Sequence, residues 1–336
     1  MDIVRAKTMM RQSNIELCRI LSMFMIVMLH STYASFGYPE DLSKSNLLVL
    51  LFSSLSIMGA DVFLLITGYF SASIKKKSIC NLLYVCLFAG IVKVVLATAT
   101  GTISWKLLFF VSKSNWYIIC YIGLLIITPI LNTFISNTSK KQLGRTIIAF
   151  YLFSFYFSIL PAQSAIEPGF HNGCSVLWFL EVYLIGRYLR LYGFPNIFTK
   201  YSLVIYLLCV ILIFGGQLAL VKFDMSKKLP WFGAQNQPLV LISAISFFGI
   251  FYKLNFTSKV INYIAQSTLM VLLIHSPSLT KNYFIHITNS YTVSIAIGLW
   301  ILGLIVVYLL CIIVDQLRLF SFKQIYKLIT NQYTNK

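Results

Sequence analysis

The sequence has few charged residues for its length. Only 11% of its 336 residues are Asp, Glu, Lys or Arg, whereas soluble domains carry about a quarter. Apolar residues make up 58% of the chain and occur in long runs. This balance excludes an ordinary soluble fold. It predicts an all-α, polytopic protein that is embedded in the lipid bilayer.

Acidic residues are scarcer still, since nine Asp and Glu stand against 27 Lys and Arg and the formal net charge is +18. In a soluble protein such an excess would suggest nucleic acid, but here the basic residues lie in short clusters between apolar runs. We interpret the excess as a topology signal and expect no nucleic-acid partner. The seven cysteines show no CxxC or Cys/His spacing, so we predict neither a metal site nor a disulfide framework.

Apolar windows of the length that crosses a bilayer recur about ten times. They lie near residues 14–34, 47–70, 80–100, 116–135, 146–162, 176–192, 201–221, 237–253, 262–280 and 291–314. With the N-terminus in the cytoplasm, all seven arginines fall on the inner side, where basic residues are enriched. We therefore predict about ten transmembrane helices in one domain, residues 1–336, of the cell membrane (plasma or inner). The segment 1–13 and the basic tail 315–336 are then cytoplasmic.

Ionisable residues inside the predicted spans are candidates for function, because a charge in lipid is costly unless it faces a protein interior. Arg19 and His30 share the first span. Their separation returns them to within about 20° of one helix face and places them about 16 Å apart along the axis. Glu16 lies one turn before Arg19 and can pair with it. Snorkelling to the headgroups would also explain each residue alone, but it does not require a shared face.

Five segments combine apolar runs with particular polar residues. They are IELCRILSMFMIVMLH (Ile15–His30), GADVFLLITGYF (Gly59–Phe70), WYIICYIGLLIITPILN (Trp116–Asn132), LWFLEVYLIGRYLRLY (Leu177–Tyr192) and LLIHSP (Leu272–Pro277). In this order they resemble the acyltransferase-3 family of integral membrane acyltransferases, and the resemblance covers nearly the whole chain. Within that family the chain resembles the stand-alone members, those similar to surface-polysaccharide O-acetyltransferases.

The resemblance implies transfer of an acyl group, commonly acetyl from acetyl-CoA, to a hydroxyl of a cell-surface carbohydrate. It also implies that His30 and Arg19 are the essential histidine and arginine. O-acylation needs a base for the hydroxyl proton, and histidine suits this task near neutral pH. We predict that His30 is this base and that Arg19 supports binding of the donor.

A carboxylate on the other ring nitrogen of His30 would hold the ring and stabilise the imidazolium. Glu181 and Asp61 are the available partners. We favour Glu181 as the third catalytic residue because its depth in the sixth span resembles that of His30. Asp61 has a second interpretation, in which it accepts a hydrogen bond that pins two helices together.

The remaining candidates divide between the donor and the acceptor. Cations at the inner ends of the second and sixth spans can bind the phosphates of acetyl-CoA, although the positive-inside rule alone also explains them. They are Lys75, Lys76, Lys77, Arg187 and Arg190. The residues predicted for the acceptor or the cavity are Asp61, Asn115, Trp116 and His275. Interfacial aromatic residues and a packed histidine are the simpler interpretations of the last three.

A polysaccharide or lipid-linked sugar transporter without acyl transfer is the competing function. It would also be polytopic, basic on the inside and provided with buried charges. Such transporters more often show internal repeats and interrupted helices, which we do not find in the sequence. Acetyl transfer from labelled acetyl-CoA separates the two functions. Acetyl-CoA is expected as a donor substrate, and no metal is expected.

Overall fold

The structure is a computed structural model that describes residues 12–72, 76–99, 116–159, 171–275 and 277–334. All regular secondary structure in these ranges is helical, which confirms the all-α prediction. The α-helices are α1 (Ser13–Phe36), α2 (Lys44–Ser56), α3 (Gly59–Phe70), α4 (Lys76–Ala99), α5 (Trp116–Ser136), α6 (Lys140–Ile159), α7 (Val176–Tyr192), α8 (Asn196–Lys200), α9 (Ser202–Lys222), α10 (Leu229–Phe232), α11 (Pro238–Tyr252), α12 (Lys259–Ile264), α13 (Thr268–Ile274), α14 (Pro277–Ser290) and α15 (Val293–Thr334).

Six helical segments in the described ranges are long and apolar enough to cross a membrane, as expected of a multi-pass protein. They are Ser13–Phe36, Lys44–Phe70, Ser78–Thr98, Trp116–Ser136, Ser202–Lys222 and Val293–Gln324. Each overlaps one of the predicted windows. The other four windows fall on helices that are shorter or less apolar. The count of ten spans and the cytoplasmic position of both termini therefore stay predictions.

The ninth predicted window, 262–280, is not one helix. α13 ends at Ile274 and α14 begins at Pro277, so His275 has extended backbone between them. Proline explains the break, because it has no N–H to donate and it disfavours helical backbone at the residue before it. The interruption places the polar side chain of His275 inside the bundle.

Two helices at the centre of the bundle approach each other closely. α3 and α7 meet at Gly68 and Gly186, where a Cβ on Gly186 would lie 2.9 Å from the Cα of Gly68. Small residues at such a crossing let two backbones pack in direct contact. The segment that contains α2 and α3 is accordingly 78% buried within its apolar window, whereas that of α15 is 28% buried. α3 and α7 thus form the interior, and α15 lies toward the periphery.

The long α15 is joined to α4 by a buried polar cluster. Arg318 donates from Nε and Nη2 to the two carboxylate oxygens of Asp315, at 2.5 and 3.0 Å. Its Nη1 donates to Oδ1 of Asn81 on α4, at 3.1 Å. Arg318 and Asp315 are at most 2% exposed. The segment predicted as a basic tail thus begins as a buried continuation of the last span, and α15 runs on to Thr334.

Candidate functional site

His30 lies near the C-terminal end of α1 and is half-buried. Its Nδ1 lies 2.6 Å from Nε2 of His275. The two imidazole planes are within 17° of parallel, with centroids 4.9 Å apart. His275 is buried at the break between α13 and α14. The interruption of the ninth window therefore delivers a second imidazole to the first, and we call His30 and His275 the histidine pair.

The protons of the histidine pair are fixed by a third group. Nδ1 of His275 lies 2.6 Å from the carbonyl oxygen of Val271, which can only accept a hydrogen bond. His275 therefore carries a proton on Nδ1. With both rings neutral, its Nε2 is the acceptor for the Nδ1–H of His30. The lone pair of His30 is then on Nε2, and a nitrogen with a free lone pair is what a general base requires.

A cavity of about 530 Å³, measured with its open mouth, lies beside the histidine pair. Its walls combine apolar side chains with a few polar groups, as the walls of small-molecule sites do. The lining residues are Ile26, Leu29, His30, Ala60, Trp116, Tyr117, Ile118, Gln235, Leu272 and Leu273. We call it the His30 cavity. Trp116, one of the predicted acceptor residues, is thus in the same cavity wall as His30.

Arg19 lies toward the opposite end of α1 from His30. Its Nη1 donates to both carboxylate oxygens of Glu16, at 3.1 and 3.3 Å, which confirms the expected pairing across one turn. The side chain of Arg19 is 26% exposed and that of Glu16 is 7% exposed. Arg19 is therefore a largely buried cation that is neutralised by a carboxylate of its own helix.

Asp61 and Glu181 form their hydrogen bonds away from His30. Oδ1 of Asp61 accepts from the indole Nε1 of Trp178 at 2.8 Å, and Oε2 of Glu181 accepts from the hydroxyl of Ser154 at 3.0 Å. In the described part of the chain neither carboxylate bonds to His30, whose Nδ1 bonds to His275 instead. The bond from Trp178 joins α3 to α7, in agreement with the second interpretation of Asp61.

The structure describes only some of the cations that are predicted to bind the donor. Nη1 of Arg190 donates to the hydroxyl of Tyr69 at 3.0 Å, and the guanidinium lies 4.9 Å from the centroid of that ring. Nε of Arg187 is buried and has no hydrogen-bond partner among the described residues. Lys76 and Lys77 begin α4. The residues that lie outside the description are Lys75 and Asn115, together with the side chains of Lys76 and Lys77.

Sequence reasoning missed a buried polar segment just before α11. Gln235, Asn236 and Gln237 are each at most 8% exposed. Nε2 of Gln235 donates to the carbonyl of Ile57 at 3.2 Å, and the carbonyl of Asn236 accepts from the hydroxyl of Tyr151 at 3.4 Å. A short polar run at the start of a span is typical of an exposed connector. Three consecutive amides were the available signal that this connector is buried.

Comparison with known proteins gives one match. The sequence profile of the family described as acyltransferase domain matches residues 12–315, which is nearly the whole chain. The searches of curated proteins and of solved structures found no match. The matched range contains the histidine pair, the His30 cavity and the buried segment before α11.

Proposed function

Because the chain belongs to the acyltransferase-3 family of integral membrane acyltransferases, we propose that it moves an acetyl group from acetyl-CoA to a hydroxyl of a cell-surface carbohydrate. Membership makes it a membrane acyltransferase, which has an acyl donor and an acyl acceptor. The proposal concerns which molecules these are and which residues act on them. One observation carries it: His275 fixes the lone pair of His30 on Nε2, and His30 lies in the wall of a cavity lined by apolar and polar groups.

In the proposed step, Nε2 of His30 takes the proton of the acceptor hydroxyl as the oxygen attacks the thioester carbonyl of acetyl-CoA. The imidazolium keeps its Nδ1–H bond to His275, which holds the ring in its orientation as a carboxylate does in hydrolytic triads. The carbon–sulfur bond breaks, and the leaving CoA thiolate takes the proton from Nε2. The acetyl group is now an ester of the acceptor, and His30 has returned to its first tautomer.

The cation-rich end of the bundle is the proposed entry for the donor. Arg187, Arg190 and Lys75–Lys77 bind the phosphates of CoA, for which clustered cations are suited. Arg19 supports the pantetheine arm, because it lies about 16 Å along α1 from His30 and the extended arm is of comparable length. This end lies on the cytoplasmic side of the plasma or inner membrane, in accord with the positive-inside rule. The acetyl group then crosses the bilayer while CoA remains on the cytoplasmic side.

The test uses the full chain in proteoliposomes, acetyl-CoA labelled in its acetyl group, and the surface polysaccharide of the protein's own cells as acceptor. We expect the unmodified protein to transfer label. His30→Gln should lower kcat by about 10²–10⁴-fold, since a general base contributes that much, with membrane insertion and thermal stability retained. The matched control is His286→Gln, because His286 is an exposed histidine on α14.

Two results would contradict the proposal. One is transfer by His30→Gln at the rate of the unmodified protein, which would remove His30 from the chemistry. The other is an unmodified protein that moves the polysaccharide across the membrane without forming any labelled ester. That second result is what the competing transporter function predicts.

A further inference from the structure

The interior beside the His30 cavity holds polar groups from four separate elements. Asp61 of α3 accepts from Trp178 of α7, and Glu181 lies one turn beyond Trp178 on the same helix. Tyr151 of α6 has its ring centroid 6.3 Å from that of Trp178 and donates to the carbonyl of Asn236, before α11. These contacts bring the two carboxylates and the amide segment into one neighbourhood.

Many polar atoms in this neighbourhood have no hydrogen-bond partner among the described residues. Each belongs to a side chain that is at least nine-tenths buried. The atoms are Oδ2 of Asp61, the hydroxyl of Tyr117, Oε1 of Glu181, Oε1 of Gln235, Oδ1 and Nδ2 of Asn236, and Nε2 of Gln237. A buried polar group without a partner costs about 1–3 kcal/mol, so a cluster of them is expensive unless something binds there.

The cluster is continuous with the His30 cavity. Gln235 and Tyr117 contribute both to the wall of that cavity and to the set of unpartnered atoms. Nε2 of Gln235 is anchored to the carbonyl of Ile57, so its amide is held in place while its Oε1 is available. Of the residues with unpartnered atoms, Gln235 and Tyr117 are therefore the two that a molecule in the His30 cavity meets directly.

We propose that Asp61, Glu181, Gln235, Asn236 and Gln237 form the binding site for the acyl acceptor, and that this acceptor is an uncharged, hydroxyl-rich ring. We call these five residues the acceptor site. The inference rests on the proposed function, because it assumes that the His30 cavity is where acyl transfer occurs. It adds the location of the acceptor and its chemical class.

The chemistry of the free atoms defines that class. On the five residues of the acceptor site, four of these atoms are oxygens that accept hydrogen bonds, and the amide nitrogens of Asn236 and Gln237 donate them. Hydroxyl groups on a ring do both, so each can satisfy either kind of partner. The indole face of Trp116, in the wall of the same cavity, offers an apolar surface to the C–H bonds of such a ring. An acceptor carboxylate would have to leave water for a site whose five residues include no cation, and burial of an unpaired charge is costly.

The first test measures acetyl transfer by the full chain in nanodiscs to methyl glycosides of glucose, galactose and mannose. The matching methyl uronosides, which differ by one carboxylate, are the comparison. We expect at least one neutral glycoside to accept acetyl, with kcat/KM at least about tenfold above that of its uronoside, an effect of one unfavourable charge contact. Equal rates for the two members of each pair would overturn the inference. So would transfer to the native polysaccharide with none to any neutral glycoside.

The second test uses variants and the best neutral glycoside as the probe. Asn236→Leu and Glu181→Gln should each raise the KM for the glycoside by about tenfold, the equivalent of one lost hydrogen bond, and leave the KM for acetyl-CoA unchanged. The control is Gln217→Leu. Gln217 is also a fully buried amide whose Nε2 has no partner among the described residues, but its Oε1 accepts from Ser53 and Ser54 at the contact of α2 with α9 and it does not line the His30 cavity.

The two tests separate this inference from the proposed function. If His30→Gln transfers acetyl normally, the proposed function fails. If His30→Gln is inactive while Asn236→Leu, Glu181→Gln and Gln217→Leu all keep the same KM for the glycoside, the proposed function stands and the acceptor site is wrong. A lower yield of folded protein in one variant does not alter these results, because KM is independent of the amount of active enzyme.

Discussion

Carboxylates are buried in two regions of the molecule, and their hydrogen bonding differs. The first region is the contact between α15 and α4, and the second is the interior beside the His30 cavity. In the first, both oxygens of Asp315 and all three nitrogens of Arg318 have partners. In the second, Asp61 and Glu181 each use one oxygen, and the other has no partner in the described part of the chain. The closed cluster joins two helices, whereas the open one retains capacity to bind a ligand.

The difference separates two roles that buried polar groups have in a membrane protein. A closed cluster contributes to stability, and its loss should change folding and leave the chemistry intact. An open cluster is retained despite its cost, so its loss should change binding more than folding. The following predictions test this separation.

The largest effect on stability is expected at the closed cluster. Arg318→Leu leaves Asp315 as an uncompensated buried charge and should lower the free energy of unfolding by about 3–5 kcal/mol. The double variant Asp315→Leu with Arg318→Leu should recover most of this loss, because no charge remains unpaired. Unfolding in mixed micelles measures both. A single variant with normal stability and impaired acetyl transfer would contradict the assignment.

The next effect is expected at the histidine pair. His275→Leu removes the acceptor for the Nδ1–H of His30, so the tautomer of His30 is no longer fixed. We expect kcat to fall by about 100-fold, which is the lower end of what a general base contributes. His275→Gln should recover much of the activity, because an amide can accept from His30 and donate to Val271. Steady-state kinetics distinguish this from a packing role, in which Leu and Gln would behave alike.

A smaller effect on stability is expected at two buried indoles. Trp178 donates to the carboxylate of Asp61 and Trp300 donates to the hydroxyl of Ser31, both at 2.8 Å. Trp178→Phe and Trp300→Phe should each cost about 1–3 kcal/mol of stability, because each leaves a buried acceptor without its donor. Only Trp178→Phe should raise the KM for the acceptor. Equal effects of both variants on that KM would argue against an acceptor site at Asp61.

The smallest effect is expected at the donor end. Arg190→Leu should raise the KM for acetyl-CoA by about three- to tenfold, since one of several cations that bind phosphate is lost. The KM for the acceptor should not change. Lys200→Leu is the control, because Lys200 is also a cation stacked near a tyrosine ring, that of Tyr201. An equal change in both variants would indicate a general effect of surface charge.

The sequence predicts those parts of the site that depend on a single helix. Helical periodicity within α1 is sufficient to relate Arg19 to His30 and to pair Arg19 with Glu16, because both relations follow from the rise and twist of one helix. The apolar windows likewise locate the six segments that can cross a membrane. In each case the information lies within about 20 consecutive residues.

Relations between helices were not accessible in this way. Depth alone favours Glu181 as the partner of His30, but depth does not determine which helices are neighbours. The structure instead brings His275 to His30 through the break before Pro277, a break that proline favours. The amides at positions 235–237 lie at the start of the eighth apolar window, where a polar run is usually exposed to water, so the sequence does not predict their burial.

The most direct test of the account is the tautomer of His30 in lipid, measured by solid-state nitrogen NMR on protein labelled at histidine and assigned by comparison with His30→Gln. The account predicts a protonated Nδ1 and an unprotonated Nε2 on His30, with a hydrogen bond from that Nδ1 to His275. A proton on Nε2 with none on Nδ1 would contradict it, because no lone pair would then be available to accept the proton of the acceptor hydroxyl.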